Sequence, residues 1–277
     1  MRAALLQITS SDDPSENLAM VREALRGAVA EGAGFVLTPE VTNCVSSSRR
    51  HQAEVLRPEA EDVVLAGLRD EAAKAGIWVL LGSIALKSEP PETRFANRSI
   101  MIGPDGGIVA RYDKLHMFDV QVTETETYRE SEGFAPGDRA VIADCEFAKV
   151  GMTVCYDVRF PELHRSLAKA GAQILTVPAA FSPATGPGHW EPLLRARAIE
   201  TGAYVLAPAQ CGQHSVREGR PRATHGHSLA VDPWGKVLAD AGERPGMLLV
   251  DLDLARVQKA RSQIPALQHD RPFAPPT

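Results

Sequence analysis

Four times along the chain an amphipathic stretch gives way to a short glycine-containing turn and then to a run of apolar residues. These runs are entered through EGAGFVLTPE, KAGIWVLLGS, KAGAQILTVPAA and ETGAYVLAPAQ. The amphipathic stretches predict helices with one buried face. Gly34, Gly76, Gly171 and Gly202 stand where each helix ends and a residue tolerant of left-handed dihedrals is needed. The apolar runs do not alternate with polar residues, so each strand is predicted to be buried on both faces.

The four units fall into two pairs, and a hairpin pattern follows each pair. After the first comes SIMIGPDGGIVARYDKLHMF, with Pro104-Asp105-Gly106-Gly107 as its turn; after the second comes HSLAVDPWGKVLADAG, with Asp232-Pro233-Trp234-Gly235 in the same place. Two similar halves predict an α/β fold in which two sheets pack face to face with helices outside, a four-layer α-β-β-α sandwich. At 277 residues the length alone allows one large domain or two small ones. Because no Ser/Gly/Pro-rich linker separates the halves, a single domain over residues 1–277 is expected. The Pro-rich tail, 268–277, is expected to lie on a neighbouring surface or to be disordered.

Composition narrows the chemistry. With 44% hydrophobic and 23% charged residues the chain can bury a large core. A net charge of −5 without a long Lys/Arg run gives no electrostatic reason to bind nucleic acid or an anionic membrane, which favours a small-molecule substrate. Cys44, Cys145, Cys155 and Cys211 form no C-x-x-C pair and no metal-type cluster with His, so neither a metal site nor a redox motif is expected. The apolar stretch in MRAALLQITSSDD is too short for a secretory signal, and no later run reaches membrane-spanning length. A cytoplasmic protein with reduced thiols is expected.

Cys155 follows the apolar run VGMTV and precedes YDVRFPELHRSLAKAGA, which reads as a helix starting near Pro161. A thiol on a strand-to-helix turn is held rigidly beside free backbone N–H groups, a good position for a nucleophile. It is also where a small buried hydrophobe would fit. A base is needed. His164 lies nine positions further along the helix, too far to meet the sulfur, and the sequence does not place His116 or His189. Glu40 ends its strand in LTPE, at the sheet edge where ligands of open α/β sheets bind. Lys114, in RYDKLHMF, ends the strand that closes the first hairpin; a fixed ammonium there would lower the thiol pKa and stabilise an oxyanion.

Taken together, LTPE, YDKLHMF and VGMTVCYDVRFPEL resemble the nitrilase, or carbon-nitrogen hydrolase, superfamily in order and separation, and the resemblance covers essentially the whole chain. It implies a Glu-Lys-Cys triad of Glu40, Lys114 and Cys155 on one αββα domain. Glu130, in YRESEGFAPGD, matches the family's second glutamate, which orients substrate and attacking water. The segment CYDVRFPEL looks like the Nit branch of amidases. It lacks the Trp-Glu-His run of true nitrilases and the Gly-Arg-His-His of β-ureidopropionases. AQCGQH and HGHSLAVDPWG are most similar to amidases of deaminated glutathione, then to ω-amidases, both of which cut an amide of a small carboxylate-bearing molecule. Another amidase of the superfamily, including an N-carbamoyl amidohydrolase, is the alternative; an acyltransferase is a further one.

The resemblance implies that the thiolate attacks an amide carbon while Glu40 moves the protons. Lys114 and the backbone N–H of Tyr156 would hold the oxyanion. Arg159 is the choice for pairing with a substrate carboxylate, with a structural salt bridge as its alternative. Where many Nit-branch members carry an aromatic residue soon after the glutamate, this chain has VTNCVSSSRR, a loop expected at the pocket mouth. No metal or organic cofactor is required, and at least a homodimer is implied by resemblance.

Overall fold

Strand β1 (Arg2–Gln7) sends alternate side chains to two different places: Ala3 and Leu5 join the core between two sheets, whereas Ala4 and Leu6 pack under helices. The computed structural model describes residues 1–122, 124 and 126–276. Beyond β1 come α1 (Pro14–Ala30), β2 (Phe35–Leu37), α2 (Arg49–Val55), α3 (Val63–Ala75), β3 (Trp78–Lys87), β4 (Phe95–Ile102) and β5 (Ile108–Asp113). A ribbon of β6 (Asp119–Gln121) and β7 (Thr127–Arg129) precedes β8 (Phe134–Ala135), which adds to β4.

The second half holds β9 (Val141–Asp144), β10 (Lys149–Met152), α4 (Pro161–Lys169), β11 (Ile174–Thr176), α5 (Gly186–Thr201) and β12 (Tyr204–Ala207). There follow a ribbon of β13 (Cys211–Gln213) and β14 (Ala223–His225), then β15 (Leu229–Val231), β16 (Val237–Asp240), β17 (Gly246–Asp251) and α6 (Ala255–Gln263). The sheet orders are β17-β1-β2-β3-β4-β5 and β16-β15-β12-β11-β10-β9. In each, three parallel strands are flanked by antiparallel ones. The halves match strand for strand, with β17 beside β1 as β9 is beside β10.

Phe35, Leu37 and Leu80 of the first sheet meet Val150, Met152 and Ile174 of the second in the central layer. Val21, Leu25, Val64 and Leu68 cover the outer face of the first sheet; Leu167, Trp190, Leu194 and Ala198 join the core on the second. The expected four-layer α-β-β-α sandwich is therefore present, and both predicted hairpin turns fall between the strands they were to join.

One local expectation fails. Gly76, Gly171 and Gly202 have positive φ, as a left-handed helix end requires, but in the first unit the left-handed residue is Gly32 (φ 82) and not Gly34. The chain turns directly after α1, and Gly34 lies instead under Met1, whose Sδ would stand 3.1 Å from an added Cβ. The tail carries no helix or strand from residue 269 to 276, and Asp270 pairs with Arg165 and Lys169 of α4.

Candidate active site

The backbone beyond β2 crosses β3 so closely that only glycine fits beneath it. A Cβ on Gly82 would stand 1.9 Å from the Thr38 carbonyl oxygen and 2.6 Å from that of Pro39. That crossing carries Glu40 between the sheets, where it is 4% exposed. Its Oε2 accepts from the Ala180 N–H at 2.8 Å, and its Oε1 accepts from Lys114 Nζ and Asn97 Nδ2, each at 3.0 Å. Burial opposes ionisation of Glu40, but the charges of Lys114 and Arg222 outweigh it and hold the carboxyl below its ordinary range.

Lys114 follows β5, fixed by its N–H on the Asn97 carbonyl at 3.0 Å. Its buried ammonium also donates to both oxygens of Glu130, at 2.9 and 2.8 Å. Glu130 in turn accepts from the Phe118 N–H at 2.7 Å. Burial disfavours the ammonium, yet Glu130 and Glu40 outweigh it and raise the Lys114 pKa, so the lysine stays charged.

Cys155 sits just past β10 with φ 50, a left-handed conformation uncommon for any residue with a side chain, and its N–H donates to the Pro178 carbonyl at 2.9 Å. The thiol lies against Glu40 and within the field of Lys114. Burial raises its pKa and Glu40 raises it further; Lys114 only partly opposes them. The expected lowering by the lysine is thus outweighed. A thiol whose pKa is raised in this way calls for a neighbouring base if it is to attack, and Glu40 is the carboxylate that bears on it.

Tyr156 lines the same cavity, with its ring edge-on to Phe118 at 5.0 Å. Its N–H has no hydrogen-bond acceptor among the described residues. Arg159 is not among the lining residues. The 3-10 turn Cys155–Arg159 sets it beside the cavity wall, its guanidinium donating to His189 Nδ1 at 3.2 Å and lying over the rings of Phe181 and Tyr156, which both line the cavity. The other two candidate histidines are also committed elsewhere: His116 bonds Asp157 and stacks on Phe160, and His164 is on the buried face of α4 with its pKa pushed down to about 4 by burial.

The cavity measures ≈ 240 Å³, room for a small molecule. Glu40, Lys114, Glu130 and Cys155 all line it; Phe118, Tyr128, Phe134 and Phe181 supply apolar wall, and the loop from Val41 to Arg49 forms part of the lining. Two lining residues escaped sequence reasoning. Asn97 on β4 bridges Glu40 and Glu130, and Arg222, just before β14, donates to the Ala180 carbonyl at 2.6 Å. Among the described residues no group of three or more His, Cys, Asp or Glu is placed to hold a metal ion, and no helix is long and apolar enough to cross a membrane.

The carbon-nitrogen hydrolase family model matches residues 2–262. The chain is a carbon-nitrogen hydrolase. It is 38% identical over 271 residues to a deaminated glutathione amidase of Yersinia enterocolitica, covering 97% of this chain and 92% of that one. The hydrolase also resembles the NitFhit protein of C. elegans (TM-score 0.89, 35% identity), covering 98% of this chain and 65% of that one. A mutant amidase from Nesterenkonia sp. AN1, solved with acrylamide added at its active-site cysteine, superposes with a TM-score of 0.77 at 29% identity, covering 95% and 98%. The enzyme belongs to the Nit branch of the nitrilase superfamily and cleaves amide carbon-nitrogen bonds.

Proposed function

We propose that this hydrolase cleaves the amide of a small carboxylate-bearing molecule, of the deaminated-glutathione or ω-amide type, through a thioester on Cys155. The observation that carries this reading is the meeting of Glu40, Lys114 and Cys155, from three different strand ends, in one small cavity. Glu40 takes the thiol proton as sulfur attacks the amide carbon. Lys114 and the Tyr156 N–H stabilise the oxyanion. Glu40 then returns the proton to the departing nitrogen, ammonia or an amine leaves, and water activated by Glu40 releases the acid. Glu130 and Asn97 hold Lys114 and Glu40 in register for both halves of the cycle.

The likeness to deaminated glutathione amidase supports the substrate class. The test is ammonia or amine release from a panel of small ω-amides. Turnover by wild-type enzyme and its loss in Cys155→Ala are expected; equal turnover by Cys155→Ala would overturn the assignment.

The reading extends to residues 1–277 as one hydrolase domain, in at least a homodimer, in the cytoplasm. Free Cys44, Cys145, Cys155 and Cys211 suit a reducing compartment. Ile199, Trp234 and Ile264, more than half exposed around one hollow, offer an apolar face for a second copy. Sedimentation of wild-type protein and of Trp234→Glu tests the dimer.

A further inference from the structure

The cavity holds a cation that stands outside the Glu40–Lys114–Glu130 ion pairs. Lys114 is flanked by two carboxylates. Arg222, by contrast, has no carboxylate within ion-pair distance among the described residues; its protein acceptor is the Ala180 carbonyl, at 2.6 Å. Its Nε is shielded from solvent and has no hydrogen-bond acceptor. A buried donor without an acceptor is costly, and a native site leaves one where an acceptor arrives with a ligand.

The placement of this guanidinium is specific. Ala180 donates its N–H to Glu40 Oε2 at 2.8 Å and accepts Arg222 on its carbonyl, so catalytic carboxylate and guanidinium are held at two ends of one residue. Arg222 lines the same cavity as Glu40 and Cys155. Its guanidinium carbon lies over the Tyr128 ring, 6.0 Å from the centroid. The chain on either side is anchored: the Arg220 N–H and carbonyl bond Ser47 Oγ, and the β13–β14 ribbon follows. A planar fork fixed in this way matches a carboxylate better than a mobile lysine would.

We propose that Arg222 binds the carboxylate of the substrate, a few bonds from the scissile carbonyl, and so sets the preference for acid-bearing over neutral amides. The assignment rests on the amidase reading above.

Two measurements test it. The first is the ratio of kcat/KM for glutaric acid monoamide to that for butyramide, in wild type, Arg222→Gln and Arg222→Lys. Arg222→Gln lowers the ratio roughly 10- to 100-fold and Arg222→Lys lowers it less. A merely structural role would lower both substrates together and leave the ratio unmoved, which overturns the proposal. The second needs no turnover: glutarate protects Cys155 from iodoacetamide in wild type and protects at least about tenfold less well in Arg222→Gln. Equal protection in the two proteins, or none in wild type, overturns the proposal. If wild type hydrolyses neither amide, the amidase reading fails for these substrates while the protection experiment still decides the role of Arg222.

Discussion

The Tyr112 hydroxyl donates to the Asp157 carboxylate at 2.6 Å, joining the strand that carries Lys114 to the turn that carries Cys155. Both residues are fully buried. Asp157 also accepts from the Val154 N–H at 2.8 Å, the His116 N–H at 3.1 Å and His116 Nδ1 at 2.7 Å. One carboxylate thus gathers donors from the residue before Cys155 and from both sides of Lys114. The separation of sulfur and ammonium is fixed by this junction between sheets, without contact to either group.

Asp157→Asn leaves size unchanged but replaces one acceptor oxygen by a donor, which faces N–H or O–H groups that already donate. A displacement of about 1 Å at a reacting group costs on the order of 10²-fold in rate. We expect kcat to fall by about that factor, and Tm to fall as well, measured by steady-state kinetics and thermal melts. Wild-type kcat and Tm in the variant would show that the junction does not set the geometry.

Lys114→Ala removes the proposed oxyanion donor and the cation that pairs Glu40 with Glu130. Loss of the donor lowers kcat by about 10²–10³. Leaving a buried charge unpaired destabilises by about 3–5 kcal/mol. Adding Glu130→Gln removes one of the two stranded charges. The double variant is therefore expected to regain stability but not turnover, read from denaturant melts beside kinetics. Recovery of kcat would place Lys114 outside the oxyanion site.

The Glu40 carboxyl is held below its ordinary value of 4.5, with burial opposing and Lys114 and Arg222 prevailing. As the proposed base it must be ionised, so kcat/KM is expected to be lost as pH falls through this depressed pKa. Removing a neighbouring positive charge destabilises the carboxylate and raises that pKa. With butyramide, which does not itself titrate, the acid limb is expected to move upward in Arg222→Gln. An unmoved or lowered limb would contradict the electrostatic coupling.

His214 donates Nδ1–H to the Ser10 carbonyl and accepts the Thr224 hydroxyl on Nε2, both at 2.8 Å, which suits a neutral ring. Burial pushes its pKa down to about 4 from 6.5. The unfolded chain therefore binds a proton more readily. This contribution to stability is complete above pH 6.5 and is lost as pH falls from 6.5 toward 4, by about 2 kcal/mol at pH 5. The urea midpoint of wild type should fall between pH 7 and pH 5, and fall less in His214→Gln. Parallel pH dependences would refute the linkage.

Glu40, Lys114 and Cys155 were legible because each ends a strand whose apolar pattern is local and whose flanking motif is distinctive. Asn97 was not, since its meaning comes from Glu40 and Glu130, 57 and 33 residues distant. Arg159 drew attention by nearness in sequence to the cysteine, and its contacts with His189, Tyr156 and Phe181 come from a 3-10 turn and from segments that sequence does not bring together. Arg222 lies in the irregular run REGRPRA, where no periodicity marks a side chain as facing a cavity. The pairing of β17 with β1, Arg2 opposite Asp251, joins the chain's two ends and leaves no local trace.

The central claim is that the substrate passes through a thioester on Cys155. Rapid acid quench of the working enzyme, followed by peptide mass spectrometry, tests it most directly. With glutaric acid monoamide we expect a mass increase equal to the acyl group, the amide less ammonia, on the Cys155 peptide and on no peptide carrying Cys44, Cys145 or Cys211. Continued turnover by Cys155→Ala, with no acyl adduct on the wild-type cysteine, would contradict the account.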